Sequence, residues 1–269
     1  LIKPFTGEQL QARLIRAIFK KHILRKIYDN IERGALQEAV EACDRVIRQQ
    51  PAFTYDALRF KGELLNSLGK VREAEEVFRS VLAGRAVPWA KMGLAQALRE
   101  RGALDEAEQL AEQVTQETPE FLSAYDFLAA VREAQGRLQD AQEALQKAAD
   151  ASPHNTLRQR LVGDVAVRNK DMLAAEKAYG KVLQRRVGSS LRTVDDFSNL
   201  SRVLLERGNV EASRKLTAEL QRSFRGDKQA ELAVLVNEAL CLEKEGTPDK
   251  AAALIDKAVA LQQEVRTDA

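Results

Sequence analysis

Apolar residues recur along most of the chain at the three- and four-residue spacing that places them on one face of a helix. The pattern is clearest in the stretches 32–51, 67–82, 100–119 and 134–153, which read ERGALQEAVEACDRVIRQQP, SLGKVREAEEVFRSVL, ERGALDEAEQLAEQVTQETP and AQGRLQDAQEALQKAADASP. Each contains a Gly, four further residues, an Ala and an amphipathic segment, and most end in Pro. These stretches are copies of one repeated unit.

The repeat has a regular period. The Gly place is held by Gly34, Gly69, Gly102 and Gly136, which are 33 to 35 residues apart, then by Lys170, Gly208 and Gly246, where the last two spacings lengthen to 38 residues. Glycine readily takes the left-handed conformation that ends a helix. Each repeat is therefore predicted to be a helix that ends near the Gly and a second helix that starts two or three residues later.

Small residues and prolines mark the rest of the unit. An Ala lies in the first turns of the second helix, where it permits close contact with the first, at Ala39, Ala74, Ala107, Ala141, Ala175 and Ala251. Pro51, Pro119 and Pro153 follow second helices, where proline stops a helix. One copy departs from this pattern, because Ser213 stands where the Ala belongs and Ala212 is one place early. The connections RRVGSSLRTVDD and RSFRGDKQAEL are also longer than usual, and there we expect extended helices or loops.

This arrangement resembles the tetratricopeptide repeat (TPR) family. The clearest copy is 122–155, in which the consensus places are filled by Tyr125, Leu128, Ala129, Gly136, Ala141, Leu145, Ala148 and Pro153. In other copies Gly62 and Gly163 fill the small place of the first helix, and Phe78 and Tyr179 fill the large place of the second. The resemblance implies an all-α, right-handed superhelical solenoid of about seven antiparallel helix pairs. The implied repeats are 20–54, 55–87, 88–121, 122–155, 156–193, 194–231 and 232–265.

The resemblance also implies a concave groove, lined by the first helices, as the site for a protein or peptide partner. The expected lining is Arg59, Glu63, Asn66, Trp89, Met92, Gln96, Arg99, Asp126, Glu133, Arg160, Asp164, Arg168, Ser198 and Arg202. This set is mixed in charge. It does not match the dense Lys/Arg clamp with which chaperone-tail-binding members of the family hold a terminal carboxylate. For Trp89, the only tryptophan, two interpretations stay open: packing between repeats, or an aromatic anchor for a peptide together with Met92 and Arg99.

Composition argues against catalysis. The chain has 269 residues, a formal net charge of +2 and only two histidines. His22 lies in a basic helical stretch, and His154 follows Pro153 in an expected exposed turn. We find no phosphate-binding glycine loop, nucleophile elbow or metal-ligand cluster. Cys43 and Cys241 match no metal or redox spacing and are predicted to be small buried hydrophobes. The sequence therefore predicts a non-enzyme without cofactor or metal. Because no apolar run reaches about 18 residues, we also expect no membrane span and a cytoplasmic location.

The first residues, LIKPFTGEQLQARL, precede the repeats and show a different pattern. Thr6 and Gln9 have the spacing of a capping box, and Phe5 and Leu10 that of a hydrophobic staple, so a helix is predicted from about residue 7 to 33. An apolar strand end, Lys-Pro, an aromatic residue, a cap and a helix resemble the C-terminal end of a response-regulator receiver domain. The resemblance implies that 1–19 is a receiver remnant and that Lys3 and Pro4 hold its phosphate-contact places. The phospho-accepting Asp would lie upstream.

The segment 13–26 is strongly basic, with six Lys or Arg side chains and the apolar residues Leu14, Ile15, Ile18, Phe19 and Leu24 on an opposite stripe. One interpretation is a helix that binds nucleic acid or membrane. The other, which we favour because the rest of the chain is not basic, is a connecting helix whose apolar side packs and whose basic side is solvated. The stripe Leu10, Leu14 and Ile18 could also support a homodimer.

The sequence as a whole favours a non-catalytic protein–protein interaction scaffold, the TPR output region of a bacterial two-component response regulator in phosphorelay signalling. Two alternatives remain. One is a free-standing TPR scaffold or assembly chaperone unrelated to phosphorelay. The other, which we disfavour, is a nucleic-acid-binding regulator that uses the basic helix 13–26.

Overall fold

The computed structural model describes residues 6–184 and 192–267. Within these ranges all regular structure is helical, as the sequence predicts, and a short 3-10 helix, Pro51–Phe53, precedes the third α-helix. The α-helices are α1 (Gly7–Glu32), α2 (Leu36–Gln49), α3 (Thr54–Ser67), α4 (Val71–Gly84), α5 (Pro88–Glu100), α6 (Leu104–Glu117), α7 (Leu122–Ala134), α8 (Leu138–Ala151), α9 (Thr156–Arg168), α10 (Met172–Leu183), α11 (Val194–Glu206), α12 (Val210–Ser223), α13 (Lys228–Lys244) and α14 (Pro248–Thr267).

The repeated Gly place ends the first helix of each pair, as predicted. The six glycines from Gly34 to Gly246 that hold this place have φ between 70° and 87°. At Gly34 the turn is closed by the amide of Ala35, which donates to the carbonyl of Asn30 at 2.9 Å. Lys170 takes the same left-handed conformation with φ of 60°, although a side chain is disfavoured there. The backbone therefore keeps the repeat geometry even where the sequence lacks the glycine.

The Ala place of the second helix is buried in each copy that has it. Five of the six alanines, from Ala39 to Ala175, are fully buried, and Ala251 is 8% exposed. Ser213 occupies the same buried place, and its hydroxyl oxygen lies 2.7 Å from that of Ser201 on the preceding helix. The irregular copy therefore replaces a methyl contact between helices by a buried hydroxyl pair.

The chain divides into two compact units, Leu1–Val131 and Arg132–Ala269. In the first unit, consecutive helices from α1 to α6 pack against one another, with Phe78 of α4 fully buried at the centre. A Cβ atom added at Gly62 of α3 would lie 2.4 Å from this ring, and one added at Gly93 of α5 would lie 2.3 Å from it. The ring is thus wedged between two first helices whose backbones approach it directly. Gly62 and Phe78 fill the small and large places that the sequence assigns them.

In the second unit, consecutive helices from α8 to α14 pack in the same manner. Tyr179 of α10 lies against Gly163 of α9, where an added Cβ would come within 2.4 Å of the ring. Phe197 and Phe224 meet edge to face with ring centroids 6.0 Å apart. Of the first long connection, residues 185–191 lie outside the described residues; the helices that follow both connections have side-chain N-caps. Thr193 forms a capping box at the start of α11, and the Asp227 side chain accepts from two amides at the start of α13.

Helix α1 corrects one expectation. The apolar stripe of 13–26 was expected to pack, yet of its members only Leu24 is buried, while Leu14, Ile15, Ile18 and Phe19 are 53–61% exposed. The reason is length: α1 has 26 residues and its neighbour α2 has 14, so α2 covers only about half of it. Phe19 retains one tilted contact with Phe53, at a ring-centroid distance of 5.8 Å.

Helix α1 begins at Gly7 with Thr6 as its N-cap, as predicted. The hydroxyl of Thr6 accepts a hydrogen bond from the amide of Gln9 at 3.2 Å. The proposed receiver-type places Lys3 and Pro4, and the staple residue Phe5, lie outside the described residues.

Candidate functional site

The first helices α3 and α5 present six of the predicted groove residues around one open pocket of about 430 Å³, here called the Trp89 pocket. Their spacing explains why they converge, because residues three, four and seven apart share one face of a helix. The six are Arg59, Glu63 and Asn66 from α3, and Trp89, Met92 and Gln96 from α5. The pocket is completed by side chains that the sequence interpretation missed, including Glu100, Phe121 and Phe127.

Trp89 is half-buried and has two kinds of neighbour. Pro88 begins α5, which places Trp89 in the first turn. The indole meets the ring of Phe78 edge to face at 6.4 Å, which is the packing role considered for it. Its other neighbour is the Arg59 guanidinium, whose carbon lies 5.9 Å from the ring centroid, within cation–π range. Trp89 therefore packs between repeats and also lines the pocket.

Arg59 and Glu63 form an exposed pair on α3. The Arg59 Nε donates to Glu63 Oε1 at 2.9 Å, and both side chains are about half exposed, at 53% and 51%. A pair with this exposure contributes little to stability. Both groups are therefore available to exchange partners with a ligand at small cost.

Asn66 offers an unused acceptor. Its Nδ2 donates to the carbonyl of Gly93 at 3.2 Å, which ties α3 to α5. Its Oδ1 is buried and has no hydrogen-bond partner among the described residues. Buried polar atoms are nearly always paired, and leaving one unpaired costs about 1–3 kcal/mol. A donor supplied from the pocket would recover that energy.

The far end of the pocket is polar and aromatic. Gln96 Nε2 donates to Glu100 Oε1 at 2.7 Å, and Arg99 also reaches this carboxylate, at 3.3 Å. The Arg99 guanidinium carbon lies 5.1 Å from the centroid of the Phe127 ring. Arg99, predicted for the groove, therefore contacts two lining residues but is outside the lining itself, as is Asp126 of α7. Phe127 directly follows a predicted groove residue in sequence, which is the one signal that could have identified it.

In the second unit, most predicted groove residues are engaged with one another or with the repeat framework. Arg160 makes a two-point contact with Asp196, at 2.6 and 2.8 Å, and Asp196 is 2% exposed. Burial raises the pKa of Asp196, but the Arg160 hydrogen bonds and the Thr193 amide outweigh it, so the pKa lies below its usual value. Arg168 pairs with Glu133 at 2.5 Å. These contacts join successive repeats.

Three further predicted residues of the second unit also lie on the first helices. Asp164 accepts from the Tyr179 hydroxyl at 2.6 Å, and burial together with this bond raises the pKa of Tyr179. The Ser198 hydroxyl donates to the Val194 carbonyl of its own helix at 3.2 Å. Arg202 is exposed. We therefore place the candidate site at the Trp89 pocket, where side chains remain available to a ligand.

The described residues contain no group of three or more His, Cys, Asp or Glu side chains placed to hold a metal ion. His154 is exposed in the turn after Pro153, and both cysteines are buried, as the sequence predicts. Burial raises the pKa of the Cys43 thiol to about 12. Among the helices in 6–184 and 192–267, none has the length and apolar character needed to cross a bilayer.

Solved structures support the fold. The C-terminal part of a TPR-containing protein from Cytophaga hutchinsonii is 14% identical, with a TM-score of 0.68, covering 88% of this chain and 95% of that one. A TPR protein from Parabacteroides merdae is 16% identical, with a TM-score of 0.53 and coverage of 90% and 93%. YrrB, described as a TPR protein with an unusual peptide-binding site, is 16% identical, with a TM-score of 0.53 and coverage of 70% and 94%.

A search of curated proteins finds no match to this chain. A family model does match it: the model of the MalT-like TPR region covers residues 26–266. That range begins within α1 and extends into the last helix, so it spans every helix pair whose geometry is described above. The chain therefore belongs to the family of MalT-like TPR regions.

Proposed function

We propose that the chain is a non-catalytic scaffold that binds a segment of a partner protein at the Trp89 pocket. The observation that carries the proposal is the convergence of two successive first helices on a pocket with an aromatic wall and an unpaired buried acceptor. TPR folds are scaffolds for protein–protein contacts, and a peptide offers a donor for the unpaired Asn66 Oδ1 and apolar side chains for the aromatic wall.

The chemistry of the pocket favours an extended peptide. The Oδ1 of Asn66 can accept from a backbone N–H, and Trp89 and Phe127 offer aromatic surface for a ligand side chain. The exposed Arg59–Glu63 pair can separate so that each partner meets an opposite charge on the peptide. A peptide with a central apolar side chain and both charges nearby matches these features.

The proposal is tested by selecting peptides on the immobilised chain and measuring their affinity in solution. Arg59→Ala removes a half-exposed side chain that does not support the core, so the fold should be unchanged while affinity falls about tenfold, or about 1.4 kcal/mol. Trp89→Ala should have a larger effect. Arg72→Ala, an exposed change on α4 outside the pocket, is the matched control and should leave affinity unchanged. Equal affinities for the parent chain and both pocket variants would contradict the proposal.

We also propose that these repeats are the output region of a cytoplasmic response regulator. The sequence LIKPFTGEQL, with its Lys-Pro pair before the helix cap at Thr6, supports this reading. In that arrangement α1 would couple a receiver domain to the repeats. The test is phosphorylation of the natural full-length protein by a small phosphodonor, with hydrogen exchange followed in residues 7–33. Altered exchange is expected. Unchanged exchange, or a natural protein without an upstream phospho-accepting Asp, would favour a free-standing scaffold.

Self-association through α1 is a further part of the proposal. Leu10, Leu14 and Ile18 are 58–61% exposed on one stripe, and apolar surface of this kind is commonly covered by a partner. Sedimentation of the parent chain should show a dimer that Leu14→Glu abolishes. A monomeric parent chain at high concentration would refute it.

Nucleic acid binding is less well supported by the contacts of α1. Lys20 pairs with Asp56 at 2.6 Å and Arg25 lies 3.7 Å from Asp29, so two of its basic side chains already face carboxylates. A DNA titration with a steep salt dependence would reverse this preference.

A further inference from the structure

A second pocket lies within the Arg132–Ala269 unit. It measures about 240 Å³ and is bounded by α8, α9 and α10. We call it the α10 pocket, and its lining includes Gln159, Asp171, Leu173, Lys177 and Lys181. Nothing in the scaffold function described above uses this pocket.

The first unusual member is Gln159 of α9. Its side chain is 2% exposed, and its Nε2 has no hydrogen-bond partner within the described ranges. Two amide hydrogens kept from water without an acceptor carry a penalty of about 1–3 kcal/mol. An acceptor that enters the pocket could satisfy this buried donor.

The second unusual feature is the pair Lys177 and Lys181. They are four residues apart and so lie on the same face of α10. Neither forms an ion pair with a carboxylate in residues 6–184 or 192–267. Asp171, the one carboxylate in the lining, is already engaged: its oxygens accept from the Ala174 amide at 3.0 Å and from Gln142 Nε2 at 2.8 Å. The lining therefore carries two ammonium groups and one carboxylate, and that carboxylate is already hydrogen-bonded.

We propose that the α10 pocket binds a carboxylate group, with Lys177 and Lys181 supplying the charge and Gln159 Nε2 the buried hydrogen bond. The pocket is smaller than the roughly 300–1,000 Å³ of most ligand sites, so it suits a carboxylate on a short carbon chain. Leu173, which is 66% exposed beside the pocket, can cover those carbons. The carboxylate can come from a free dicarboxylate or from a glutamate side chain of a partner.

The experiment is an NMR titration of the full 269-residue chain with two probes, succinate and the capped peptide acetyl-Ala-Glu-Ala-amide. We expect saturable shifts of the Gln159 side-chain amide and of the backbone amides of 174–181, weakening as salt is added. Shifts with succinate alone identify a free dicarboxylate as the source, and shifts with the peptide alone identify a protein side chain. Shifts with both establish the carboxylate as the recognised group.

Variants separate binding from folding. Gln159→Leu removes an unpaired buried donor, so stability should stay the same or rise while the dissociation constant increases at least fivefold. Lys181→Gln should weaken binding similarly. Lys147→Gln, an exposed change on α8 outside the pocket, is the control and should leave binding unchanged. The proposal is overturned if neither probe gives saturable shifts, or if Gln159→Leu and Lys181→Gln bind as the parent does. Neither result bears on the Trp89 pocket, whose peptide assay is independent.

Discussion

The most decisive test of how the repeats fit together is the substitution Gly93→Ala. The new Cβ would lie 2.3 Å from two carbons of the Phe78 ring, far inside contact distance. Phe78 is fully buried, and Gly62 confines its ring from α3 in the same way, so the ring has no free side to move toward. The strain must therefore push α5 away from α3, which are the two helices that form the Trp89 pocket.

The expected loss can be worked from two opposing effects. Overpacking a well-filled core costs typically 1–3 kcal/mol. Alanine in place of glycine within a helix returns about 1 kcal/mol. We therefore expect Gly93→Ala to lower the free energy of unfolding by up to about 2 kcal/mol, the net of these two effects. The matched control is Gly180→Ala on α10, where an added Cβ meets nothing within 4 Å. There only the higher helix propensity of alanine acts, so the free energy of unfolding should rise by about 0.5–1 kcal/mol.

Urea unfolding followed by far-UV circular dichroism compares the two variants, and the fluorescence of Trp89, which contacts Phe78, reports on the first unit. Phe78→Leu in the Gly93→Ala background should relieve the overlap, so the two changes together should cost less than the sum of each alone. If Gly93→Ala is as stabilising as Gly180→Ala, the inference that α5 lies directly against the Phe78 ring is refuted.

Three further predictions concern the second unit. Lys170→Gly should raise the free energy of unfolding, measured in urea, by about 1 kcal/mol, because the residue has φ of 60° and an exposed side chain. A lower free energy of unfolding would refute the left-handed turn. Ser213→Ala should lower the free energy of unfolding by about 1–3 kcal/mol, because it leaves the buried Ser201 hydroxyl without its partner. Adding Ser201→Ala should recover most of this loss. If the losses from the two substitutions add instead, the hydroxyl pairing is contradicted. Arg160→Met should cost about 3 kcal/mol near pH 7 by leaving Asp196 buried without its cation. Because the native pKa of Asp196 is lowered, this contribution is present above its unfolded pKa of about 3.9 and is lost as the pH falls through the native pKa. A difference in stability that persists in acid would count against it.

The repeated helix pairs could be predicted because their determinants are local. A glycine that ends one helix and an alanine five places later are both visible in the sequence, and they specify the turn and the close contact without reference to the rest of the chain. The period even identified Lys170 as the residue in a glycine place, and its φ of 60° confirms that alignment. The resemblance assigned Gly62 to the small place and Phe78 to the large place, and the structure brings the two residues together.

The groove contacts were harder to predict because they depend on side chains far apart in sequence. Arg160 looked available on a first helix, yet it is held by Asp196, 36 residues later. The unpaired donor of Gln159 had no sequence signal, since nothing in the pattern of α9 distinguishes it from a surface glutamine. The exposed stripe of α1 was misjudged for a related reason. Helical periodicity shows which residues share a face, but it does not show how far the neighbouring helix extends.

The central claim, that a partner segment binds at the Trp89 pocket, is tested most directly by hydrogen exchange of the chain with and without a selected peptide at saturating concentration. Binding at the pocket predicts slower exchange of backbone amides in α3 and α5, with α4 and α6 little changed, and loss of this protection in the Arg59→Ala variant at the same peptide concentration. Protection that appears elsewhere in the chain and leaves α3 and α5 unchanged would contradict the account.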